Sequence, residues 1–571
     1  MNRNYFVLSF LLVAGFILTF STMAAQAPPW AWVKSAGGTD HEVSSAVCTD
    51  DAGNACQAGY FLGSEIVLGT DTLYNAGPAG SRDAYLVKFD SSGNVLWAKS
   101  AGGSNWDAGI ALCSDHSGNV YLAGYFASDT IVFGHDTLYN VNMGSGTTDI
   151  FIVKYSSSGN ELWAKCAGGI NGDTPHGICT DGAGNIIMTG SFVLPYMVVG
   201  GDTLHCAGGS DIFIIKYDGT GNLLWTRSAG GNSQDEGNAI AADASGNVVI
   251  AGYFYSPSFI AGTDTLARSG FSDVVVIKFD PSGNELWARS AGMSGTSAAY
   301  GMGISVDGVG NAYVAGTYNH PYLVFGMDTL VNAGNDDIFL VKYNSAGNVL
   351  WARSLGGTLF ETVGGMATNA SGESYLTGTF TSPKLVLGSD TLANQDTVSQ
   401  SEDIYFVKFT ASGNVMWSKY AGGTLGDLTT GVCTGITGHV YLSGEFESPY
   451  LFLDSDTLTN AFAFNGDIFI ARLDQPVVTS LYEPGIDHGI VIFPNPCTSG
   501  VKVVISAPVQ EKIVLKIFDA SGRKLVAREA AQHSSGAYGF EFDTQQMEAG
   551  IYFLCLESAH SLKTAKLVVM K

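Results

Sequence analysis

The sequence predicts an all-β protein: a seven-bladed β-propeller closed by its own N-terminal strand, followed by a small antiparallel β-sandwich. Three observations lead there. No stretch sustains a 3.6-residue apolar period. Tryptophan recurs at Trp32, Trp97, Trp163, Trp225, Trp287, Trp351 and Trp417, at steps of 65, 66, 62, 62, 64 and 66 residues. The composition sets 73 Gly and 11% aromatic residues against only 14% charged ones, which suits short strands and tight turns.

The chain opens on a targeting segment, expected to span residues 1–25. Arg3 supplies a basic start, Tyr5 to Phe20 is a 16-residue apolar run, and Ala24, Ala25 and Ala27 offer small residues for cleavage. Cleavage after Ala25 keeps Pro28 away from the scissile bond. Sixteen residues are short for a bilayer span, and no later run is long and apolar enough, so the expected product is exported and carries no transmembrane segment.

The repeat follows, over 26–475. Each unit reads as an apolar strand ending near Asp, a turn such as Asp115-His116-Ser117-Gly118-Asn119, and a strand such as Val120 to Phe126. A longer connection carrying Gly-x-Asp-Thr-Leu comes next. Then come Asp149-Ile150-Phe151-Ile152-Val153-Lys154-Tyr155, a Ser/Gly/Asn turn and the Trp strand. Gly in the turns supplies the positive φ that tight hairpins need. Strands apolar on both faces, as in Ile150 to Val153, fit blades stacked on one another. The seventh unit ends at Leu473-Asp474 without a Trp strand, while Trp32-Val33-Lys34-Ser35-Ala36-Gly37-Gly38 stands as an orphan copy at the other end. If that strand completes the last blade, no sheet edge is left open. With these phrases in view, the units resemble the SBBP-type repeats of exported bacterial cell-surface and surface-layer-like proteins, a resemblance that implies architecture more than chemistry.

After Gln475 the pattern changes. Pro476, Pro484 and Gly485 mark a linker, taken as 476–488, and 489–571 reads as alternating strands at Ile490 to Phe493, Val501 to Ile505, Ile513 to Phe518, Tyr538 to Phe542, Ile551 to Leu556 and Lys566 to Met570. Pro494, Asn495 and Pro496, the Leu515 to Asp519 strand with its Gly522 turn, Gly550 and Tyr552, and the ending through Lys571 resemble the type A sorting domain of type IX secretion. Cys497 departs from that pattern, which usually has an apolar aromatic there. The resemblance implies handling by the type IX secretion machinery and delivery to the cell surface or the exterior.

Charge narrows the partners. From Pro476 onward nine basic and nine acidic residues balance; with Arg3 in the leader, the propeller carries 17 basic and 43 acidic residues, net −26. Such a surface excludes nucleic acid and anionic lipid and favours cations or basic partners. Of nine Cys, Cys48, Cys113, Cys179 and Cys433 share one repeat position that elsewhere holds Ala or Ser, so they read as small buried residues. Cys48 with Cys56, and Cys497 with Cys555, are the pairings that spacing allows.

No nucleophile elbow, His-Glu-x-x-His or phosphate loop is present, so no catalytic residue, metal ligand or cofactor is assigned. The repeated Lys88 and Lys99 series and the Asp83 series read as structural Asp–Lys pairs. A register with Val153 opposite Trp163 would set Asp149 diagonal to Lys165. The Asp of Gly-x-Asp-Thr-Leu reads as a local Asx turn. The binding candidates are Glu42, Asp107, Asp173, Asp235, Glu361 and Asp427, eight residues before the end of each first strand, a set broken by Ala299. They are expected as a partial acidic ring at the channel mouth, on the face of the long connections. Backbone bonding is the first reading for them and calcium or a basic ligand the second. Two functions follow: a non-catalytic surface protein that binds a glycan or a surface protein or serves structurally, and, as the alternative, a secreted polysaccharide-active hydrolase with carboxylates on that face.

Overall fold

In the computed structural model the described residues are 27–396, 400–462 and 465–473, then 490–493, 500–506, 514–519, 524–529, 537–544, 547, 550–557 and 562–569. The leader, the linker, Pro494, Asn495, Pro496, Cys497, Gly522 and Lys571 lie outside them. The chain divides into two compact units, Met1–Gln475 and Pro476–Lys571.

Seven four-stranded antiparallel blades form the ring of the first unit, the second of them continued by the third blade's hairpin into one six-stranded sheet. The second blade shows the pattern: inner strand Asp107–Ser114, then Val120–Phe126, Asp149–Tyr155 and outer strand Glu161–Gly168. Its third strand is buried along its whole length, as expected of a sheet covered on both faces. The ring closes through the N-terminus. Trp30–Ala36 pairs antiparallel with Asp467–Leu473, so the orphan Trp strand becomes the outer strand of the seventh blade.

The register differs by one residue from the sequence expectation. Lys154 stands opposite Trp163 and Ile152 opposite Lys165. The cause is a bulge at Leu162, one extra residue on the outer strand, repeated in the other blades. Asp149 therefore does not meet Lys165, which is exposed. The third-strand lysines instead turn to the first hairpin: Lys88 meets Asp50 at 2.9 Å, Lys216 meets Asp181 at 2.9 Å and Lys278 meets Asp243 at 2.9 Å. These pairs are buried, not the exposed contacts expected, so removing one partner strands a charge at a cost of about 3–5 kcal/mol.

Neighbouring blades are latched by the repeated tryptophan. Trp97 Nε1 donates to the Ser157 carbonyl in the next blade's turn at 3.1 Å, and Trp32, Trp163, Trp225, Trp287 and Trp351 do the same one blade on. The same turn carries Gly159 at φ 81°, where a Cβ would sit 2.8 Å from the Trp97 ring. The turn glycine thus answers two demands, a left-handed backbone and a flat seat for the indole.

The Gly-x-Asp-Thr-Leu connection is itself a two-stranded hairpin, Thr130–Phe133 with Asp136–Tyr139 in the second blade. Its alternation buries Ile131, Phe133 and Leu138 and exposes Val132 and Tyr139. Blades radiate from an axis, so the gap between them widens outward. The hairpin fills that wedge, with Phe133 on Phe151 at 4.8 Å between ring centroids. Its Asp is no local Asx turn: Asp136 accepts the Ala164 N–H of its own blade's outer strand at 2.8 Å, as Asp264 does from Ala288 and Asp328 from Ala352. The end of the preceding blade's outer strand bridges to the hairpin too, as in Gly230 with Ile260. The edge strand is thereby covered from both sides.

Cys48 and Cys56 stand opposite each other on paired strands as free thiols. Among the described residues the second unit holds two antiparallel sheets. One orders Ile490–Phe493, Gly500–Ser506 and Ala537–Asp543; the other orders Lys524–Glu529, Val514–Asp519, Gly550–Glu557 and Leu562–Val569. Lys524–Glu529 is a strand that the hydrophobic pattern did not announce. Leu515, Ile517, Leu554 and Leu567 are buried there.

Two outcomes test this architecture. Gly159→Ala should cost about 2 kcal/mol or more, from positive φ plus the ring contact, whereas Trp97→Phe, which keeps much of the packing, should lose about 1–2 kcal/mol; urea unfolding of both variants measures it. Deleting residues 26–38 exposes the edge of Asp467–Leu473, so thermal melts should show a lower transition and light scattering should show association.

Candidate functional site

The six acids chosen from the sequence all lie at the start of an inner strand or just before it, and all are fully buried. Asp107 shows why. Its carboxylate accepts the Gly103 N–H at 2.7 Å, the Ser128 hydroxyl at 2.7 Å, and the Ala127 and Ser128 N–H groups at 3.1 and 3.2 Å. Asp235 repeats this with Gly231, Tyr255 and Ser256, and Asp427 takes Ser448 at 2.9 Å. Glu361 takes Gly357 at 2.8 Å and the Ser382 hydroxyl. Glu42 accepts Gly38 N–H at 2.9 Å, and Asp173 accepts Val193 N–H at 3.2 Å. The six side chains thus stitch the crossover from one blade to the next and do not open onto solvent.

A serine 21 residues after the acid completes the brace in four blades, and the sequence reading missed it. The fifth blade replaces all three parts together: Met293 for the second glycine, Ala299 for the acid and His320 for the serine. His320 is fully buried and fills the space, with both ring nitrogens unpartnered; burial lowers its pKa.

Burial pushes the Glu42 and Asp173 carboxyls up to about 8 and Asp427 to about 7. It also raises Asp107, Asp235 and Glu361, against the pull of their hydrogen bonds. Glu42 and Asp173 have Gly63 and Leu194 where other blades have the serine, which accounts for their larger rise. In the third strands burial lifts Asp83, Asp149 and Asp403 to about 6 while each accepts a loop N–H.

The surface of the channel lies elsewhere. Every inner strand takes one extra residue four positions in, at Ser45, Ile110, His176, Asn238, Met302, Gly364 and Thr430, and these residues keep solvent access. Toward the end of the second strand, one register position rings the mouth: Tyr60, Tyr125, Ser191, Tyr253, Thr317, Thr379 and Glu445. Here the blades, alike in their latches and hairpins, differ in chemistry. Internal alignment of the repeats could have found this ring; a search for repeating charges passes over it.

Two clusters stand on the ring. In the fourth and fifth blades Tyr253 packs edge-on against Tyr255 and Tyr300, at 5.5 and 4.8 Å, and Tyr255 packs against the exposed Phe271 at 5.2 Å. Tyr255 and Tyr300 share a hydroxyl hydrogen bond of 3.1 Å. Glu236 lies directly opposite Tyr253, and His176 Nε2 is 3.9 Å from its carboxylate. In the seventh blade Glu445 and Glu447 occupy the positions of Tyr253 and Tyr255. Burial, then the charges of Glu447 and Glu402, push Glu445 up to about 8. Between the two, Arg82 lies over Tyr60 and Trp106, 4.7 and 4.3 Å from the ring centroids. Among the described residues no group of three His, Cys, Asp or Glu is arranged to hold a metal ion, and no helix is long and apolar enough to cross a membrane.

Residues 491–570 match the family described as a secretion system C-terminal sorting domain. Two curated relatives are similar to the chain at lower identity. An uncharacterized WD repeat-containing protein of Acanthamoeba polyphaga mimivirus is 24% identical over 471 residues, 68% of this chain and 34% of that protein. The regulatory protein FlaEY of Caulobacter vibrioides is 25% identical over 371 residues, 61% of this chain and 37% of that protein. The chain thus spans about a third of the length of these relatives. Among solved structures, Sqt1 from Chaetomium thermophilum aligns with a TM-score of 0.37 at 9% identity, over 74% of this chain and 97% of that one. The polysaccharide lyase Uly1 aligns with a TM-score of 0.38 at 10% identity, over 80% and 94%. The sorting domain marks the chain as exported, to the cell surface or the exterior, and as a client of the type IX secretion machinery.

The buried carboxyls set the pH dependence of stability. Folded pKa values raised to between about 6 and about 8 mean that their contribution is full below the ordinary carboxylate range and is lost as pH rises through those values. Asp50 and Asp181 act oppositely. Although burial pushes them up, hydrogen bonds from lysine and asparagine hold them below their ordinary value, so their contribution is lost as pH falls below about 4. The melting temperature should peak near pH 4–5, fall from there to about pH 8 and level off above it. Asp173→Asn should flatten part of that fall in a differential scanning series.

Proposed function

We propose that this chain is an exported, non-catalytic propeller scaffold that binds a partner at the mouth of its channel. One observation carries this reading: blades that repeat their latches, braces and wedge hairpins diverge in chemistry along the mouth ring, from Tyr253 to Thr379 to Glu445. Positions that serve the fold are held alike around a pseudo-symmetric ring; positions that serve a ligand are free to differ. The hydrolase alternative draws less support. The six acids that would have supplied its carboxylates are spent on backbone and serine donors inside the crossovers.

In this reading residues 1–25 are a cleaved signal peptide and 26–475 the propeller, with repeats of the SBBP type. Residues 476–488 are a linker, and 489–571 the sorting domain that delivers it. The surface partner is a protein or a glycan. The acid set Glu42, Asp107, Asp173, Asp235, Glu361 and Asp427 serves as braces and not as the ligand-binding set.

Separation of roles is testable. Expressed in a host with type IX secretion, the full chain should appear outside the cell. A chain ending at Gln475 should fold, with an unchanged propeller melt, yet accumulate in the periplasm. Appearance of the truncated chain at the surface, or failure of it to fold, would refute the division.

A further inference from the structure

We propose that the channel mouth takes a cationic segment of a partner protein, with lysine or arginine side chains held between the Glu-x-Glu pair of the seventh blade and the tyrosine cluster of the fourth and fifth. This rests on the scaffold reading and names its ligand. Glu445 is only 9% exposed, and its Oε2 has no hydrogen-bond partner. The nearest basic group is His41, whose Nε2 is 4.0 Å away. The charges of Glu447 and Glu402 also bear on it. A buried carboxylate atom without a donor, crowded by two more acids, is relieved by a cation from outside.

Across the ring the chemistry changes but the preference does not. Tyr253, Tyr255 and Tyr300 offer electron-rich ring faces, and Glu236 adds a carboxylate opposite Tyr253. Aromatic faces beside a carboxylate suit guanidinium and ammonium groups, at about 0.5–2 kcal/mol per contact. Arg82, the basic side chain between the clusters, is already sandwiched by Tyr60 and Trp106. The field of the whole propeller, net −26, steers a basic segment inward and repels an acidic one. A few extended residues at roughly 3.3–3.6 Å each are enough to reach from one cluster across a channel mouth.

Calorimetric titration of the full chain with tetra-arginine, tetra-glutamate and cellohexaose tests this. Tetra-arginine should bind, and tetra-glutamate should not. The isosteric double variant Glu445→Gln/Glu447→Gln should bind tetra-arginine at least tenfold more weakly while melting no lower than the parent. Tyr253→Ala should weaken binding about threefold or more. Asp202→Asn/Asp456→Asn, which replaces two acids on the outer rim hairpins, should change it less than twofold. If the rim variant loses as much as the mouth variant, attraction is only the general field and the inference fails. If cellohexaose binds and tetra-arginine does not, the mouth is a saccharide site: the inference fails and the scaffold reading stands. If none of the three binds, the inference fails as well. The scaffold reading falls separately, if the protein depolymerises a polysaccharide.

Discussion

The structure depends on the contact between an outer-strand tryptophan and the turn of the next blade, made at six of the seven seams; Trp417 faces the seventh blade, whose last two strands come from opposite ends of the repeat region and share no turn. An indole N–H donates to a turn carbonyl while the ring lies on a left-handed glycine. Because the donor belongs to one blade and the acceptor to the next, no blade completes its own packing. The arrangement is satisfied only when the ring closes, and Trp32 on the N-terminal strand makes the closing contact with Ser91 in the first blade. The same dependence explains why the seventh blade is built from both ends of the repeat region.

Everything outside that latch answers a geometric consequence of it. Stacking blades about an axis leaves wedges at the rim, filled by the Asp-Thr-Leu hairpins, and crossovers near the axis, braced by buried acids. Each solution places polar groups against donors or acceptors of the blades themselves. The hairpin Asp takes an edge-strand N–H, the crossover acid takes a glycine N–H and a serine hydroxyl, and the strand-three lysine takes a turn Asp. Acids that recur by blade are thus engaged within the blades themselves. The fifth blade makes the point in reverse, since glycine, acid and serine change together to Met293, Ala299 and His320.

Once these positions are set aside, chemical variety concentrates at the channel mouth. Tyrosines dominate one side and carboxylates another, on strands whose backbone is common to all blades. A rigid repeated backbone carrying unlike side chains is a suitable base for recognition, because the scaffold holds the groups in place without being reshaped by them. The sorting domain at the C-terminus accounts for where such a surface would meet its partner.

The sequence by itself determined the blade count, the strand that closes the ring, the turn glycines and the exported destination. Each is written in local patterns or in repetition, and local sterics enforce them. The acidic set was also legible as a recurring feature, from Glu42 through Asp427, but its role was not. Burial, the serine 21 residues on and the glycine N–H four residues back turn a would-be ring of charge into internal braces. Only the tertiary structure decided three further matters. A bulge at Leu162 moved Lys165 away from Asp149, while Lys154 reaches Asp115 of the first hairpin. The wedge between blades made a hairpin of what read as a connection. And the curvature of the ring brought Tyr253, Tyr300 and Glu236 together from three different strands. The physical reason is common to all three: a one-residue register shift, a radial gap and a contact across strands depend on where chain segments distant in sequence come to lie, and no local pattern encodes that.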